Sequence, residues 1–301
     1  GGSGRNGGDC PRFTDGAKRS RRIGTVPEKG RLFLKGKIFV VGIGPGSAEH
    51  LTQRARTALY EADVIVGYKT YVNLIKCIVG GKEIVSTGMT EEVERCKAAI
   101  ELAENGKKVA VISSGDAGIY GMAGLIYELV ANKGTVPDLR TSPRSVVESG
   151  LSPTLTVHDI EIIPGVSALN AAAAVLGAPL MHDFAAISLS DLLTPWEVIQ
   201  KRIESAAMAD FVICIYNPKS SGRVEQIRIA RDLISRHRKP DTPVGIVKNA
   251  MRDGQKVLLT TLSDMLNHDI DMLTTIIIGN STTYMVDSVM VTPRGYKIGE
   301  E

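Results

Sequence analysis

The chain has 301 residues, 43% of them hydrophobic, enough to bury one large core or two medium ones. Lys and Arg total 36 against 33 Asp and Glu, a net charge of +3, which excludes a broad basic face for nucleic acid. Four scattered cysteines (Cys10, Cys77, Cys96, Cys214) form no C-x-x-C pair and no apolar run reaches a bilayer's width, so no metal site, disulfide framework or membrane span is expected, and a reducing cytoplasmic setting is the default.

Residues 1–36 open with "GGSGRNGGDCPRFTDGAKRSRR", rich in Gly, Ser and basic side chains and without hydrophobic periodicity; they are expected to be a disordered leader or tail. From Lys37 the pattern changes. "KIFVVGIG" reads as a buried strand, followed by a helix carrying Leu51, Ala55, Ala58, Leu59 and Ala62 on one face. "DVIVGY" is the next strand. "TEEVERCKAAIELAENGKKVAVISSG" gives a helix stopped at Gly106 and then another strand, and "IYGMAGLIYELVANKG" a further helix. Residues 134–159, rich in Pro, Ser and Thr, read as an insertion. A second unit starts at "IEIIPGVSALNAAAAVLGAPL" and continues through "ISLSD", a helix over 196–207, the strand "DFVICIYNP", a helix over 224–237, and the strands "PVGIVKN" and "LTTIIIGNSTT". Alternating strands and helices predict mainly parallel sheets covered on both faces. The expected architecture is two tandem α/β domains, 37–159 and 160–301, with a ligand cleft between them.

The strand-to-helix junctions carry the chemistry. In "VGIGPGSAEHLT", Gly42 and Gly44 fit the start of a dinucleotide fingerprint, but Ser47 stands where the third glycine belongs and "VIVGYKT" offers no carboxylate for a ribose. A Walker loop is excluded because no Gly-Lys-Ser/Thr follows. Pro45 removes a backbone donor, which makes the loop rigid enough to wall a cleft and poor at wrapping a pyrophosphate. In "SSGDAGIYGMAG", Asp116 is either a ligand contact or the cap of the helix containing Ile119 and Tyr120. The crowding of Gly115, Gly118, Gly121 and Gly124 points to close approach by a ligand or a neighbouring helix. Ser167 can cap the Ala-rich helix after "IPGV". "YNPKSSGR", "VKNAMRDGQK" and "TTIIIGNSTT" are read at the carboxyl ends of strands, bringing Lys219, Arg223, Lys248 and Arg252 towards one rim that suits a ligand with several carboxylates. No G-x-S-x-G elbow, H-E-x-x-H or Cys–His pairing supplies an activated nucleophile, so any reaction rests on positioning two reactants.

In order, "VGIGPGSAEHLT", "SSGDAGIYGMAG", "IPGVSALNAAAAVLGAPL", "HDFAAISLSD", "YNPKSSGR" and "TTIIIGNS" resemble the tetrapyrrole (corrin/porphyrin) methylases, S-adenosylmethionine-dependent enzymes of corrin and sirohaem synthesis. The resemblance runs from about Lys37 to Tyr296. It implies a folded cofactor held between two α/β domains, with S-adenosylhomocysteine as product. By motif, Pro45, Ser114, Gly115, Asp116, Ile119, Ser167, Ala168, Asn217, Thr274 and Thr275 would line the cofactor site; Thr274 and Thr275 stand where relatives carry Pro-Ala. "YNPKSSGR" and "LLTPW" look most like the branch that methylates C-17 of precorrin-3B or cobalt-factor III and contracts the ring, in cobalamin biosynthesis. Ser188, Ser190 and Asp191 are then candidates for proton transfer, Asp191 being equally a helix cap. Lys219 and Arg223 would hold substrate carboxylates. The family implies a homodimer, a polycarboxylate tetrapyrrole as partner, and no metal for the transfer. Methylation at another carbon or of uroporphyrinogen III, and a non-catalytic nucleotide-binding module, are the alternatives.

Overall fold

The computed structural model describes residues 36–88, 90–133 and 155–297. The expected leader, apart from Gly36, and the 134–154 part of the expected insertion lie outside the described residues.

The first sheet is built from β1 (Lys37–Gly42), β2 (Val64–Tyr68), β3 (Glu83–Thr87), β4 (Lys108–Ser113) and β5 (Ile160–Ile163), in the order β3-β2-β4-β1-β5. Every pairing is parallel. A parallel strand buried on both faces needs an almost unbroken apolar run, and "KIFVVG" and "KVAVIS" supply one. Side chains alternate between the faces. Ile38 and Val40 pack with the helices α3 (Glu92–Glu104) and α4 (Ala123–Lys133), whereas Phe39 and Val41 pack with α1 (Gln53–Glu61) and α2 (Lys69–Leu74). In α1 the buried set Ala55, Ala58 and Leu59 follows the helical repeat, and the Thr52 hydroxyl caps the first turn by accepting from the Ala55 N–H at 3.1 Å.

The second sheet comprises β7 (Phe184–Ser188), β8 (Val212–Tyr216), β9 (Pro243–Lys248), β10 (Lys256–Thr261) and β11 (Thr274–Ile278), in the order β10-β9-β11-β8-β7. The helix α5 (Ala168–Leu176) covers one face through Leu169, Ala172 and Leu176. The helices α6 (Trp196–Met208) and α7 (Gln226–Ser235) cover the other through Ile199, Ile203, Ala230 and Ile234. A small third sheet joins β6 (Gly177–Ala178) to the hairpin of β12 (Tyr284–Val286) and β13 (Val289–Val291).

The expectation of a mainly parallel arrangement fails in this second sheet. Only β7 and β8 pair in parallel; β11 runs antiparallel to both β8 and β9, and β10 antiparallel to β9. Connection length explains the β9–β10 pair. Residues 249–255 form a turn with Asn249, Met251 and Gly254 at positive φ, too short for a parallel crossover, so the chain folds back as a hairpin. Thr274 and Thr275 begin β11 instead of ending a strand. Because Thr275 pairs with Val247 and Ile276 with Ile215, the amino end of β11 still lies beside the carboxyl ends of β8 and β9.

Candidate active site

Three glycine junctions meet where the two halves touch. Gly44 and Gly115 exchange backbone hydrogen bonds of 3.0 and 2.7 Å, joining the loop after β1 to the loop after β4. A Cβ placed at Gly42 would lie 2.7 Å from the Gly165 nitrogen and 2.8 Å from the Gly115 oxygen, so backbone packs directly on backbone here. Gly115 sits at φ +68°, and Gly165 leads into α5. Asp116 fastens the junction: one carboxylate oxygen accepts from the Gly118 N–H at 2.7 Å and the other from the Gly165 N–H at 3.0 Å. It is not the helix cap that was one of its two readings. Tyr120 takes φ +53° and α4 begins only at Ala123, so Asp116 closes a turn and ties it to the start of the second half.

The glycine junctions form one wall of a cleft that encloses about 430 Å³ of space when counted out to its open mouth. Pro45, Ser114, Gly115, Asp116 and Ile119 line this wall, and Ser167 and Ala168 at the start of α5 continue it. Ser167 is buried and caps α5, its Oγ accepting from the Asn170 N–H at 3.2 Å. The facing wall is made by Tyr216, Ala250, Arg252, Leu273 and Thr275, from the ends of β8, β9 and β11. Backbone donors, hydroxyls, short apolar side chains and one cation therefore converge on a single volume, a donor set that fits a nucleoside with an amino-acid tail.

Tyr216, not singled out from sequence, links the walls. Its phenol oxygen accepts from the Leu169 N–H at 2.9 Å in the first turn of α5, and its ring packs 5.1 Å from Tyr120. Burial raises the Tyr216 phenol above its ordinary value despite the Leu169 and Ser167 hydrogen bonds, so it stays protonated at neutral pH. Tyr120 in turn donates to the Ala186 carbonyl at 3.0 Å across the halves. The sequence signal for Tyr216 was its place at the exit of a buried strand, immediately before Asn217 at φ +49°. Arg252 was counted among the rim cations; it lines the cavity with its side chain near Gly46 of the proline loop, and its buried Nε has no hydrogen-bond partner. Burial lowers its pKa from the ordinary value, against the opposing pull of nearby Tyr71.

Other sequence expectations are placed elsewhere. Thr274 does not line the cavity: its hydroxyl donates to Asp271 Oδ1 at 3.0 Å and it follows the strand alternation away from Thr275. Asn217 lies beside the cavity, donating through Nδ2 to Ser188 Oγ at 3.0 Å. Ser188 also accepts from the Ser190 N–H at 3.2 Å. Asp191 is exposed and accepts from Gln226 Nε2 at 2.9 Å; it caps nothing, because α6 starts after Pro195. Arg223 is buried and donates through Nη1 to the Leu189 carbonyl at 3.1 Å, so it is no free rim cation. Lys248 is held by Asp271 at 2.5 Å and Asp269 at 3.4 Å. Lys219 is half-buried in the loop after β8. Burial pushes the Cys96 thiol up to about 12 and raises that of Cys214, so neither is a thiolate nucleophile at neutral pH.

A second depression, lined by His182, Asp183, Phe211, Asn280 and Arg294 among others, is wider but already satisfied. There Asp210 bonds Ser281 and Arg238, and Asn280 accepts from Thr282 and Thr283. Among the described residues no helix is long and apolar enough to cross a membrane, and no group of three or more His, Cys, Asp or Glu could hold a metal ion.

Comparison with known proteins agrees with this geometry. The family model of the tetrapyrrole (corrin/porphyrin) methylases matches residues 37–143 and 146–266. A "Probable cobalt-factor III C(17)-methyltransferase" of Salmonella typhimurium is 51% identical over 87% of this chain and 100% of that protein. The "Cobalt-factor III methyltransferase" of Priestia megaterium is 55% identical over 88% of this chain, which spans 46% of that protein's length. The crystal structure of the methyltransferase CobJ superposes with a TM-score of 0.74 at 33% identity, covering 86% of this chain and 100% of that one. The chain belongs to the tetrapyrrole (corrin/porphyrin) methylases.

Proposed function

We propose that this protein transfers a methyl group from S-adenosylmethionine to C-17 of a cobalt-factor III or precorrin-3B type macrocycle, with contraction of the ring, in cobalamin biosynthesis. The observation that carries the reading is the cavity between the two walls, one of them built from Pro45, Ser114, Gly115 and Ser167, which resemble motif residues of a family whose relatives bear a cobalt-factor III C(17)-methyltransferase activity in their names.

S-adenosylmethionine supplies a methyl group on a cationic sulfur, already electrophilic. The chain's own work is then positioning and exclusion of water, which can lower a barrier by about 7–11 kcal/mol when two reactants are well oriented. Ser114 offers its hydroxyl to the nucleoside, Gly115, its own N–H spent on Gly44, leaves room for it, Ala250 and Leu273 give it apolar contact, and Thr275 closes the far side. The missing side chain of Gly115 and the methyl groups of Ala168 and Ala250 keep the walls close enough to shed solvent. For the proton movements of ring contraction the reading keeps Ser188, Ser190 and Asp191 as the candidates and assigns the donor to Ser188. Its oxygen accepts two hydrogen bonds, from Ser190 and Asn217, which leaves its own proton to be donated. Lys219, half-buried in the loop after β8, is the remaining side chain assigned to a substrate carboxylate. The reading includes a cytoplasmic homodimer acting on a polycarboxylate tetrapyrrole.

The test is mass spectrometry of tetrapyrrole products after anaerobic incubation with S-adenosylmethionine, cobalt-factor III and precorrin-3B in parallel. Gain of one methyl group on either is expected, and the preferred macrocycle assigns the metal state of the substrate. Methylation of uroporphyrinogen III alone would replace the C-17 assignment. Binding of S-adenosylhomocysteine without modification of any macrocycle would contradict catalysis.

A further inference from the structure

We propose that Arg252 is the carboxylate receptor of the cavity, gripping a carboxylate carried by one of the two reactants. The proposal rests on the methyltransferase reading and deepens it.

The four cations that the sequence brings towards one rim are not equivalent in the fold. Lys248 is neutralised by Asp271 and Asp269, Arg223 is buried against the Leu189 carbonyl, and Lys219 does not line the cavity. Arg252 does line it, and among the described residues its side chain has no carboxylate or carbonyl partner. Its Nε is buried without an acceptor, as are those of Arg223 and Arg238, but of these three only Arg252 lines the cavity, where a ligand completes the set. Its neighbours hold it there. The Arg252 stem runs against Gly46, at φ +130° in the proline loop of the other half, and the Arg252 carbonyl accepts from the Gln255 N–H at 3.1 Å while its own N–H donates to the Asn249 carbonyl at 3.2 Å. The head is thus presented by a closed turn and not by a free arm. The planar fork of arginine matches the two oxygens of a carboxylate. Among the described residues that line the cavity the one carboxylate, Asp116, has both oxygens committed to Gly118 and Gly165.

A carboxylate can come from the amino-acid tail of the cofactor or from an acetate or propionate arm of the macrocycle, and two thioether probes separate the sources. S-adenosylhomocysteine keeps the carboxylate; S-adenosyl-3-thiopropylamine keeps the adenosine, sulfur and amine but lacks it. Calorimetric Kd values for both are measured on the wild type and on Arg252→Gln, with the macrocycle KM measured alongside. If the cofactor tail is gripped, Arg252→Gln weakens S-adenosylhomocysteine by about tenfold or more, the scale of one lost charge-assisted hydrogen bond, and moves the thiopropylamine by less than about twofold. If a macrocycle arm is gripped, both thioethers bind as before and KM rises by about tenfold. Equal weakening of both thioethers, or no change in either Kd or in KM, overturns the proposal. Arg252→Lys, which keeps the charge without the planar fork, is expected to fall between wild type and Arg252→Gln and gives the same readout if the glutamine variant does not fold. Wild-type protein that binds neither thioether would overturn the methyltransferase reading itself, a result distinguishable from an unmoved ratio.

Discussion

On the side of the parallel sheet the cavity wall is backbone: Gly42 and Gly165 lie so close to each other and to the Gly115 carbonyl that a single added carbon has nowhere to go, and Gly44 and Gly115 are joined by two backbone hydrogen bonds. On the side of the mixed sheet the wall is side chains, with Tyr216, Arg252 and Thr275 reaching in from strand ends and a hairpin turn. The contrast separates two jobs. A backbone wall fixes the distance between the halves and tolerates no variation. A side-chain wall sets which groups meet the ligand, and its members can change one at a time.

The sharpest way to break this contrast is to add one methyl group to the backbone wall. A Cβ at Gly165 would stand 2.6 Å from the Gly42 oxygen and closer still to the Gly115 oxygen, with backbone on both sides that cannot rotate away. Gly165→Ala is expected to lose about 3 kcal/mol or more in urea unfolding, at or beyond the upper end of ordinary overpacking, and to abolish S-adenosylhomocysteine binding. An intact midpoint would mean the junction is looser than it is drawn.

Asp116→Asn acts on the fastening of the same wall. Asparagine can accept from only one of the Gly118 and Gly165 N–H groups and turns an amide donor towards the other. A loss of about 1–3 kcal/mol in stability is expected, with binding falling in step. Lost binding at unchanged stability would instead make Asp116 a ligand contact.

The facing wall should respond differently. Tyr216→Phe keeps the ring against Tyr120 but removes the acceptor for the Leu169 N–H, an exchange of about 1–2 kcal/mol. Because Tyr216 also lines the cavity, S-adenosylhomocysteine affinity is expected to drop severalfold while the fold survives; calorimetry with thermal unfolding reads both.

The smallest effect belongs to Asp271, which sits behind Thr274 and Lys248. Burial alone would raise its carboxyl, but Lys248, the Leu273 N–H and the Thr274 hydroxyl outweigh it and hold the pKa below the ordinary Asp value. A depressed folded-state pKa gives stability that is present above the unfolded value and lost as pH falls through the folded one. Asp271→Asn should therefore melt slightly below wild type at pH 7, with the two curves converging as the pH is lowered through the acid range. A gap that persists in acid would assign the effect to packing.

The same contrast explains what was legible in the sequence. Close backbone approach leaves glycine as its trace, so the loops at Gly42, Gly115 and Gly165 announced themselves, and so did the apolar runs of β1 and β4 that parallel pairing requires. Ser167 was readable as a cap because capping needs only local geometry. Side-chain walls leave weaker traces. The third role of Asp116, tying Gly118 to Gly165, was hidden because Gly165 is distant in sequence, and Arg223 and Arg252 looked alike although one is bonded to Leu189 and the other lines the cavity. The β9–β10 hairpin did carry a signal, the Asp253-Gly254 pair ahead of "KVLLTT", but the strand and helix rhythm of the first half drew the reading towards another parallel crossover.

The most direct measurement is hydrogen–deuterium exchange of the wild-type protein with and without S-adenosylhomocysteine. Protection is expected together in residues 113–120, 165–170 and 249–252, which belong to both walls of one cavity. Protection confined to residues around His182 and Arg294, or to one wall alone, would contradict a ligand held between the two halves.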